Sequence, residues 1–376
     1  MKEPKLRFKA DDGSDFPDWE EKKLGDMFSI SAGGDIDKNN SSKEKSCSYP
    51  YPVYANALMN DGLYGYANYF KVDGDTFTVT GRGDVGYAVA RHCKYVPIVR
   101  LLVCRPKEND NVDFFAEQVN CARIFIESTG VPQLTAPQLA VIKLLRPSLP
   151  EQQKIADFLS TIDTIIEKQQ ATVSAWEERK KGVMQKLFSQ EVRFKADDGS
   201  DFPELEAKSL FDICEYKNKQ SVGKNYVGTE NMKQNFSGLE SLDEETEMKG
   251  VCYCKGDTLM SNIRPYLRKT WKADREGVCS TDVLVFHPID VVSEYLHYLI
   301  ASDKFISYVM TGVKGVKMPR GDKEHMMKFS IMVPSLPEQQ KIADCLSALD
   351  AVIEKQKETL EKWQELKKGL LQQMFV

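Results

Sequence analysis

The chain has 376 residues, of which 41% are hydrophobic and 28% are charged, and its formal net charge at pH 7 is −5. This length leaves room for several domains, and no apolar run reaches the length that spans a membrane. The acidic balance excludes a protein that binds polyanions through net charge alone, although a local cluster of lysines and arginines would still suit DNA.

The cysteines and the first residues indicate the compartment. The sequence has nine cysteines, and its first residues contain no apolar segment of the kind that directs secretion. An odd number of thiols without such a segment is typical of a reducing environment. We therefore expect a cytoplasmic protein.

A polar segment near the beginning of the chain occurs twice. Residues 7–17 (Arg-Phe-Lys-Ala-Asp-Asp-Gly-Ser-Asp-Phe-Pro) recur as residues 193–203. Glycine, proline and charged residues at this density are typical of a linker or a turn. We interpret residues 1–17 and 189–203 as linkers that each precede a domain.

The first domain, residues 18–148, is predicted to be α+β and rich in strands. Its short apolar or alternating runs are bounded by Gly, Asn and Asp. The predicted strands are residues 51–54, 76–80, 86–90 and 96–103, and residues 114–126 are predicted to form a helix followed by a strand.

A glycine-rich hexapeptide, Gly-Arg-Gly-Asp-Val-Gly at residues 81–86, lies between two of these strands. It formally matches a dinucleotide-binding fingerprint, but that fingerprint requires a following helix, and a strand is predicted there instead. A hairpin that presents Arg82 and Gly83 to DNA fits better, because a β-ribbon can enter the major groove and an arginine can bond guanine. The alternative is a surface arginine in a tight turn.

A second candidate is the basic and aromatic tract at residues 91–95, Arg-His-Cys-Lys-Tyr. Arg91 and Lys94 in this tract would suit contacts with backbone phosphates. A solvated strand end is the alternative interpretation of the same residues.

A long helix is predicted over residues 149–188, and its near-identical copy covers residues 336–376. Pro and Glu in the first turn favour a helix start. Heptad spacing of the apolar residues over about five heptads favours a coiled-coil seam over a helix on a globular core. Some 38 residues would span roughly 57 Å, which is the length of a spacer. The predicted seam residues are Ile155, Ile162, Trp176, Ile342, Leu349 and Trp363.

The second domain, residues 204–335, is also predicted to be α+β. Its predicted strands are residues 226–227, 258–263, 283–286 and 329–333, and residues 291–311 are predicted to form one or two helices. Charge runs are usually solvated faces, but two such loops in one domain of an acidic chain raise the chance of a surface that faces phosphates, and both interpretations stay open. The candidate DNA-binding residues here are Arg264, Tyr266, Arg268, Lys269, Lys314, Lys317 and Arg320.

Sequence patterns of catalytic and metal sites are weak or missing. Cys252 and Cys254 have no second pair at zinc spacing, and the four histidines form no His-x-x-x-His pair. Neither a P-loop nor a nucleophile elbow occurs. These features are typical of a binding protein, and we expect the chain itself to hold no cofactor and no metal.

The duplicated segments carry a resemblance to a known family. Residues 149–156 and 336–343 both read Leu-Pro-Glu-Gln-Gln-Lys-Ile-Ala and each opens a long helix. Supporting segments lie at residues 22–28, 226–231, 256–259 and 263–267. Over nearly its whole length, the chain resembles the DNA-specificity subunit of type I restriction–modification systems.

The resemblance implies a pseudo-twofold protein with two target-recognition domains, each reading one half of a split double-stranded DNA sequence. The long helices would run antiparallel, set the distance between half-sites and dock two modification subunits, which bring S-adenosylmethionine. Restriction subunits would join that complex, with ATP and Mg²⁺ also bound outside this chain. The resemblance places the loop at residues 81–86 near DNA, which supports Arg82.

Two other interpretations stay open at this point. A coiled-coil scaffold could join two protein-binding domains, although the basic loops argue against it. An enzyme in its own right, a nuclease or a methyltransferase, is disfavoured by the missing motifs.

Overall fold

The computed structural model describes residues 4–122, 124, 133–236, 238–242 and 245–375. The chain divides into two compact units. Unit 1 comprises Met1–Gln169 and Thr359–Val376, and unit 2 comprises Gln170–Glu358. In the described ranges, no helix combines the length and the apolarity that crossing a bilayer requires.

Unit 1 is a mixed unit of short strands and helices. Its strands are β1 (Glu20–Lys23), β2 (Phe28–Ala32), β3 (Ser41–Ser42), β4 (Tyr51–Tyr54), β5 (Leu63–Ala67), β6 (Thr76–Val79), β7 (Ala88–Arg91), β8 (Val96–Pro97), β9 (Leu102–Pro106) and β10 (Lys143–Arg146). Its helices are α1 (Leu24–Met27), α2 (Val112–Cys121), α3 (Ala136–Ala140), the first part of α4 (Leu149–Ser189) and the last part of α9 (Leu336–Phe375).

The strands of unit 1 form two four-stranded sheets and one strand pair. One sheet has the antiparallel order β2-β9-β6-β7, and the other has the order β3-β5-β4-β8, in which β4 and β8 are parallel. Strand β1 pairs with β10 immediately before α4. The core lies between the first sheet and α2, where Phe28, Phe77 and Phe115 pack edge to face.

Most predicted strands of unit 1 are confirmed, but one prediction is wrong. Residues 96–103 do not form one strand, because the chain turns back between β8 and β9. Val99 and Arg100 there adopt left-handed φ angles of +53° and +58°. Of the predicted segment 114–126, the helix is confirmed as α2, and the strand after it falls mostly on residues outside the described ranges.

Unit 2 repeats the general plan with different sheets. Its strands are β11 (Glu206–Ser209), β12 (Cys214–Lys217), β13 (Gln220–Gly223), β14 (Met248–Tyr253), β15 (Thr258–Ser261), β16 (Thr270–Lys272), β17 (Gly277–Cys279), β18 (Val283–Pro288) and β19 (Ser330–Val333). Its helices are the end of α4, then α5 (Leu210–Ile213), α6 (Ser293–Ile300), α7 (Asp303–Thr311), α8 (Lys323–Met327) and most of α9 (Leu336–Phe375).

In unit 2 an antiparallel sheet of order β12-β18-β15-β16 packs under α6 and α7, and β13-β14-β17 form a second sheet. The pair β11-β19 precedes α9, as β1-β10 precedes α4. The predicted helices over residues 291–311 are confirmed as α6 and α7. The predicted strand at residues 226–227 is wrong, because Val227 forms only an isolated bridge with Cys279.

Both predicted long helices are confirmed, and segments of the two lie side by side within each unit. In unit 1, Lys367 near the end of α9 pairs with Asp163 of α4 at 2.8 Å. In unit 2, Lys180 near the end of α4 pairs with Asp350 of α9 at 2.5 Å. In each unit the end of one helix meets the beginning of the other, so the predicted antiparallel pairing is confirmed locally. Ile155, Ile162 and Ile342 of the predicted seam are buried, and Trp176, Leu349 and Trp363 are half-buried.

The glutamate in the first turn of each long helix is buried and bound by an arginine. Arg7 donates from Nε and Nη2 to the two oxygens of Glu151 at 3.0 and 2.9 Å. Arg193 binds Glu338 in the same way, at 3.1 and 2.6 Å. This hydrogen bonding raises the pKa of Arg193. The predicted linker segments are therefore ordered hairpins, and each docks on a helix start.

The first Gln and the Lys after this glutamate in the repeated motif also make contacts inside their own unit. The Gln152 side chain accepts a hydrogen bond from the backbone of Asn111 at 2.8 Å and donates one to the carbonyl five residues before it. Gln339 does the same with Val292, again at 2.8 Å. Lys154 and Lys341 each donate to a carbonyl oxygen of the docked hairpin. The Glu, the first Gln and the Lys of each copy of the motif therefore join the start of a long helix to the rest of its unit.

The two hydrogen bonds from Arg193 to Glu338, which we call the arginine clamp, give a stability prediction. Arg193→Ala leaves the buried Glu338 carboxylate without its partner, so the free energy of unfolding should fall by about 3 kcal/mol. Lys195→Ala is the matched control on the same hairpin, because Lys195 pairs with Asp201 on the exposed surface and should lose less than about 1 kcal/mol. Urea unfolding of the full chain measures both. Equal losses would show that burial of Glu338 does not depend on the clamp.

Candidate nucleic-acid interface

The glycine-rich hexapeptide of unit 1 lies in a hairpin loop, as predicted. Strands β6 and β7 pair in register from Val79 and Ala88 outward, and residues 80–87 connect them. Thr80 N–H bonds the Tyr87 carbonyl, and Gly86 N–H bonds the Thr80 carbonyl, both at 2.9 Å. Since a strand and not a helix follows the loop, the dinucleotide interpretation is wrong.

Arg82 is exposed on this loop, which is held firmly at its base. Among the described residues, its side chain makes one long contact, 3.5 Å from Nη2 to Oε1 of Gln133. Asn56 accepts from Gly81 N–H at 2.7 Å and donates to the Val99 carbonyl at 2.6 Å. Gly83 adopts a left-handed φ of +71°, which suits a turn residue without Cβ.

A second arginine, which the sequence did not indicate, lies near this loop. The two hydrogen bonds of Asn56 connect the loop to the turn that carries it. Arg100 is exposed in the left-handed turn between β8 and β9, and no salt bridge of Arg100 occurs within the described residues. A Cβ added to Gly81 would lie 3.3 Å from the Arg100 carbonyl oxygen. The sequence predicts a continuous strand over residues 96–103, and a strand would not place Arg100 beside the loop. The observed turn does.

Arg91 has an internal role in the structure. Its side chain is buried, with Nε donating to Oγ1 of Thr78 at 3.2 Å and Nη2 donating to the Asp61 carbonyl. Its guanidinium also lies 3.6 Å from the centre of the Tyr54 ring. A phosphate contact would require breaking these interactions, so we remove Arg91 from the candidate DNA-binding set.

Lys94 and His92 lie at the opposite end of β7 from Arg82. Lys94 is exposed, and it pairs with Asp73 at 3.3 Å and lies over the Phe70 ring. His92 bonds Asp75 through Nδ1 at 2.9 Å and Asp113 through Nε2 at 3.0 Å. Burial opposes its charged form, but the two carboxylates outweigh burial and raise the pKa of His92 above 6.5.

This raised pKa predicts a pH-dependent stability. Charged His92 stabilises the folded state fully below the unfolded pKa near 6.5, and that contribution is lost as pH rises through the higher folded pKa. The difference in unfolding temperature between the wild type and His92→Gln should therefore be larger at pH 5.5 than at pH 8.5. A difference that stays constant between the two values would contradict the double carboxylate contact. Cys93→Ser, which changes an exposed neighbour, is the control.

Unit 2 brings its two predicted cationic loops together. The backbone N–H of Arg264 donates to the Pro319 carbonyl at 2.8 Å. Ile263 and Arg320 form an isolated antiparallel bridge. Two stretches that lie some fifty residues apart in the sequence thus form one surface at the end of β15.

Most cations of this surface have partners within unit 2. Arg268 pairs with Asp303, Lys314 with Asp322 and Arg320 with Asp282, and Lys269 donates to the Thr229 carbonyl. The hydrogen bond to Asp322 raises the pKa of Lys314. Arg264 and Lys317 are exposed, and neither has a salt bridge in the part of the chain that the structure describes. The Tyr266 ring is 47% exposed beside them.

Among the described residues, no three His, Cys, Asp or Glu side chains are arranged to hold a metal ion. Cys252 is half-buried and Cys254 is exposed, and both are free thiols.

A sequence model of the family described as "Type I restriction modification DNA specificity domain" matches the chain twice, over residues 17–174 and 203–362. Each match begins at the end of a docked hairpin and includes one set of exposed loops and most of a long helix. These matches cover most of the chain, which therefore belongs to this family and carries two copies of the domain.

Several curated relatives are specificity subunits. The chain is 32% identical over 123 residues to a putative type I specificity subunit of Mycoplasma pneumoniae, a match that spans 33% of each chain. It is 24% identical to the putative MjaX specificity subunit of Methanocaldococcus jannaschii, over 94% of this chain and 93% of the relative. For three other matches, including the one to the M. pneumoniae subunit above, the matched region spans between one third and less than two thirds of the relative's length.

Solved structures share the fold at low sequence identity. The S subunit of a type I restriction–modification system from M. genitalium has a TM-score of 0.62 at 15% identity, covering 100% of this chain and 99% of that one. A chain from a study of assembly and conformational transition in the type I system has a TM-score of 0.57 at 15% identity, covering 96% and 98%. The α+β fold with long helices is therefore that of this family.

Proposed function

We propose that the chain is the DNA-specificity subunit of a type I restriction–modification complex, and that each unit reads one half of a split double-stranded DNA sequence. The observation that carries this proposal is the pair of specificity domains, each with its own exposed arginine-bearing loop. The loops differ between units, which is what two different half-sites require.

The chemistry of the loops supports two kinds of DNA contact. A two-stranded ribbon such as the hairpin of β6 and β7 fits the major groove, where Arg82 would bond the two acceptors of guanine. In unit 2, Arg264 and Lys317 lack acidic partners among the described residues and would meet phosphates. Tyr266, Arg268, Lys269, Lys314 and Arg320 surround them and would shape that surface.

The proposed function requires partner subunits that supply catalysis and its cofactors. We propose that two modification subunits dock on the long helices and bring S-adenosylmethionine, and that restriction subunits join them with ATP and Mg²⁺. The chain would contribute recognition and no catalysis. The repeated Glu, Gln and Lys at each helix start already make contacts inside their unit, so docking would use the exposed faces of α4 and α9 further along.

Substitutions of the loop cations test DNA binding by the assembled complex. Arg82→Ala should weaken binding to the target by about 1–3 kcal/mol and relax one base position. Lys317→Ala should instead weaken binding to all sequences and reduce the slope of log affinity against log salt by about one. The control is Lys195→Ala, on a docked hairpin. If changing Arg82, Arg264, Arg268, Lys314 and Lys317 together leaves affinity unchanged, these loops are not the interface.

The helices give a second prediction, because we propose that they set the gap between the half-sites. One inserted heptad adds about 10 Å, which corresponds to roughly three base pairs of B-DNA. A whole heptad also keeps the apolar seam in register. Inserting one after Gln169 and one after Gln356 should lengthen the preferred gap without changing the bases read, and should cost some affinity because DNA twist rotates one half-site.

Mapping of methylated sites in cells that carry the insertion variant with its partner subunits measures the gap. A variant with seven residues substituted, and none inserted, in the same helix region is the control for altered packing. The original gap in the insertion variant would mean that the helices are a scaffold and not a ruler.

A further inference from the structure

Residues 314–320 of unit 2 form a tight hairpin whose ends are closed by two backbone hydrogen bonds. Lys314 N–H donates to the Arg320 carbonyl at 2.8 Å, and Arg320 N–H donates to the Lys314 carbonyl at 2.9 Å. Gly315 turns the chain with a φ of +90°. The Arg264 bond to Pro319 then fixes this hairpin, which we call the 314–320 hairpin, against the neighbouring loop.

The tip of the 314–320 hairpin is apolar, although its base is charged. Val316 is fully exposed, and Met318 is 49% exposed. At the base, Lys314 and Arg320 are bound to Asp322 and Asp282. Because Val316 is fully exposed on an ordered turn, its side chain adds no buried apolar area to the core of unit 2. We therefore look for its role in a contact with another molecule.

The charges around the tip identify the kind of partner. Lys317 stands beside Val316, and Arg264 stands on the loop that the hairpin is bonded to; both lack acidic partners among the described residues. Two available cations next to an apolar tip match a polyanion that also offers an apolar group. In the DNA major groove, which admits a β-ribbon, the apolar group on a base edge is the C5-methyl of thymine.

We propose that Val316 reads the methyl group of a thymine in the half-site of unit 2, with Lys317 and Arg264 on the flanking phosphates. This inference rests on the proposed function and adds a specificity-determining residue to it. It also predicts that this half-site contains at least one A·T pair.

The test replaces each thymine of the mapped unit 2 half-site by deoxyuridine, which lacks only the methyl group, and measures binding of the assembled complex. For the wild type, one replacement should weaken binding about fourfold, the value of burying one methyl group. For Val316→Ala, the same replacement should have little effect. Val222→Ala, which changes another exposed valine of unit 2, should retain the full fourfold loss.

The outcomes separate this inference from the proposed function. If the wild-type complex binds its target but no thymine replacement matters, or the loss is the same in Val316→Ala, Val316 does not read a methyl group although the chain still recognises DNA. A half-site of G·C pairs alone overturns the inference in the same way. A fluorescence-measured DNA bend that Val316→Ala abolishes would also overturn it, in favour of a wedge between base pairs. Equal binding to target and random DNA would instead refute the proposed function.

Discussion

The fold depends on a buried carboxylate at the start of each long helix. Glu151 and Glu338 are buried, and a buried carboxylate without a partner is strongly destabilising. Each is neutralised by an arginine from a hairpin that lies more than a hundred residues earlier in the chain. The hairpin and the helix start must therefore meet, and everything between them must fold into a unit whose ends lie together. This requirement explains why the hairpin and the helix motif are the repeated parts of the sequence.

The same constraint leaves the residues between hairpin and helix free to differ. Unit 1 builds two four-stranded sheets, one of them with a parallel pair, whereas unit 2 combines a four-stranded sheet with a three-stranded one. Their exposed loops differ accordingly. A glycine turn presents Arg82 in unit 1, and two bonded loops present Arg264 and Lys317 in unit 2. A fixed frame with variable loops is a direct physical route to two recognition surfaces in one chain.

The sequence predicts the elements whose signal is periodic or repeated. Heptad spacing and duplication are sufficient to predict α4 and α9, and glycine with alternating strands predicts the hairpin around Arg82. Prediction fails where partners distant in sequence decide the outcome. At the turn after β8, the N–H of Val99 donates a hydrogen bond to the carbonyl of Gly34. The apolar sequence of residues 96–103 does not indicate this contact. Arg91 resembles a surface cation until the Asp61 carbonyl and the Tyr54 ring are seen to enclose it.

The central claim, that two different units read two parts of one DNA sequence, is tested most directly by the bases that the complex modifies. DNA from cells that carry this chain together with the modification subunits proposed to bind it can be sequenced for methylated positions. We expect one split target, with two short specified half-sites separated by a gap of fixed length and unspecified sequence. A continuous target, or methylation without sequence preference, would contradict the claim.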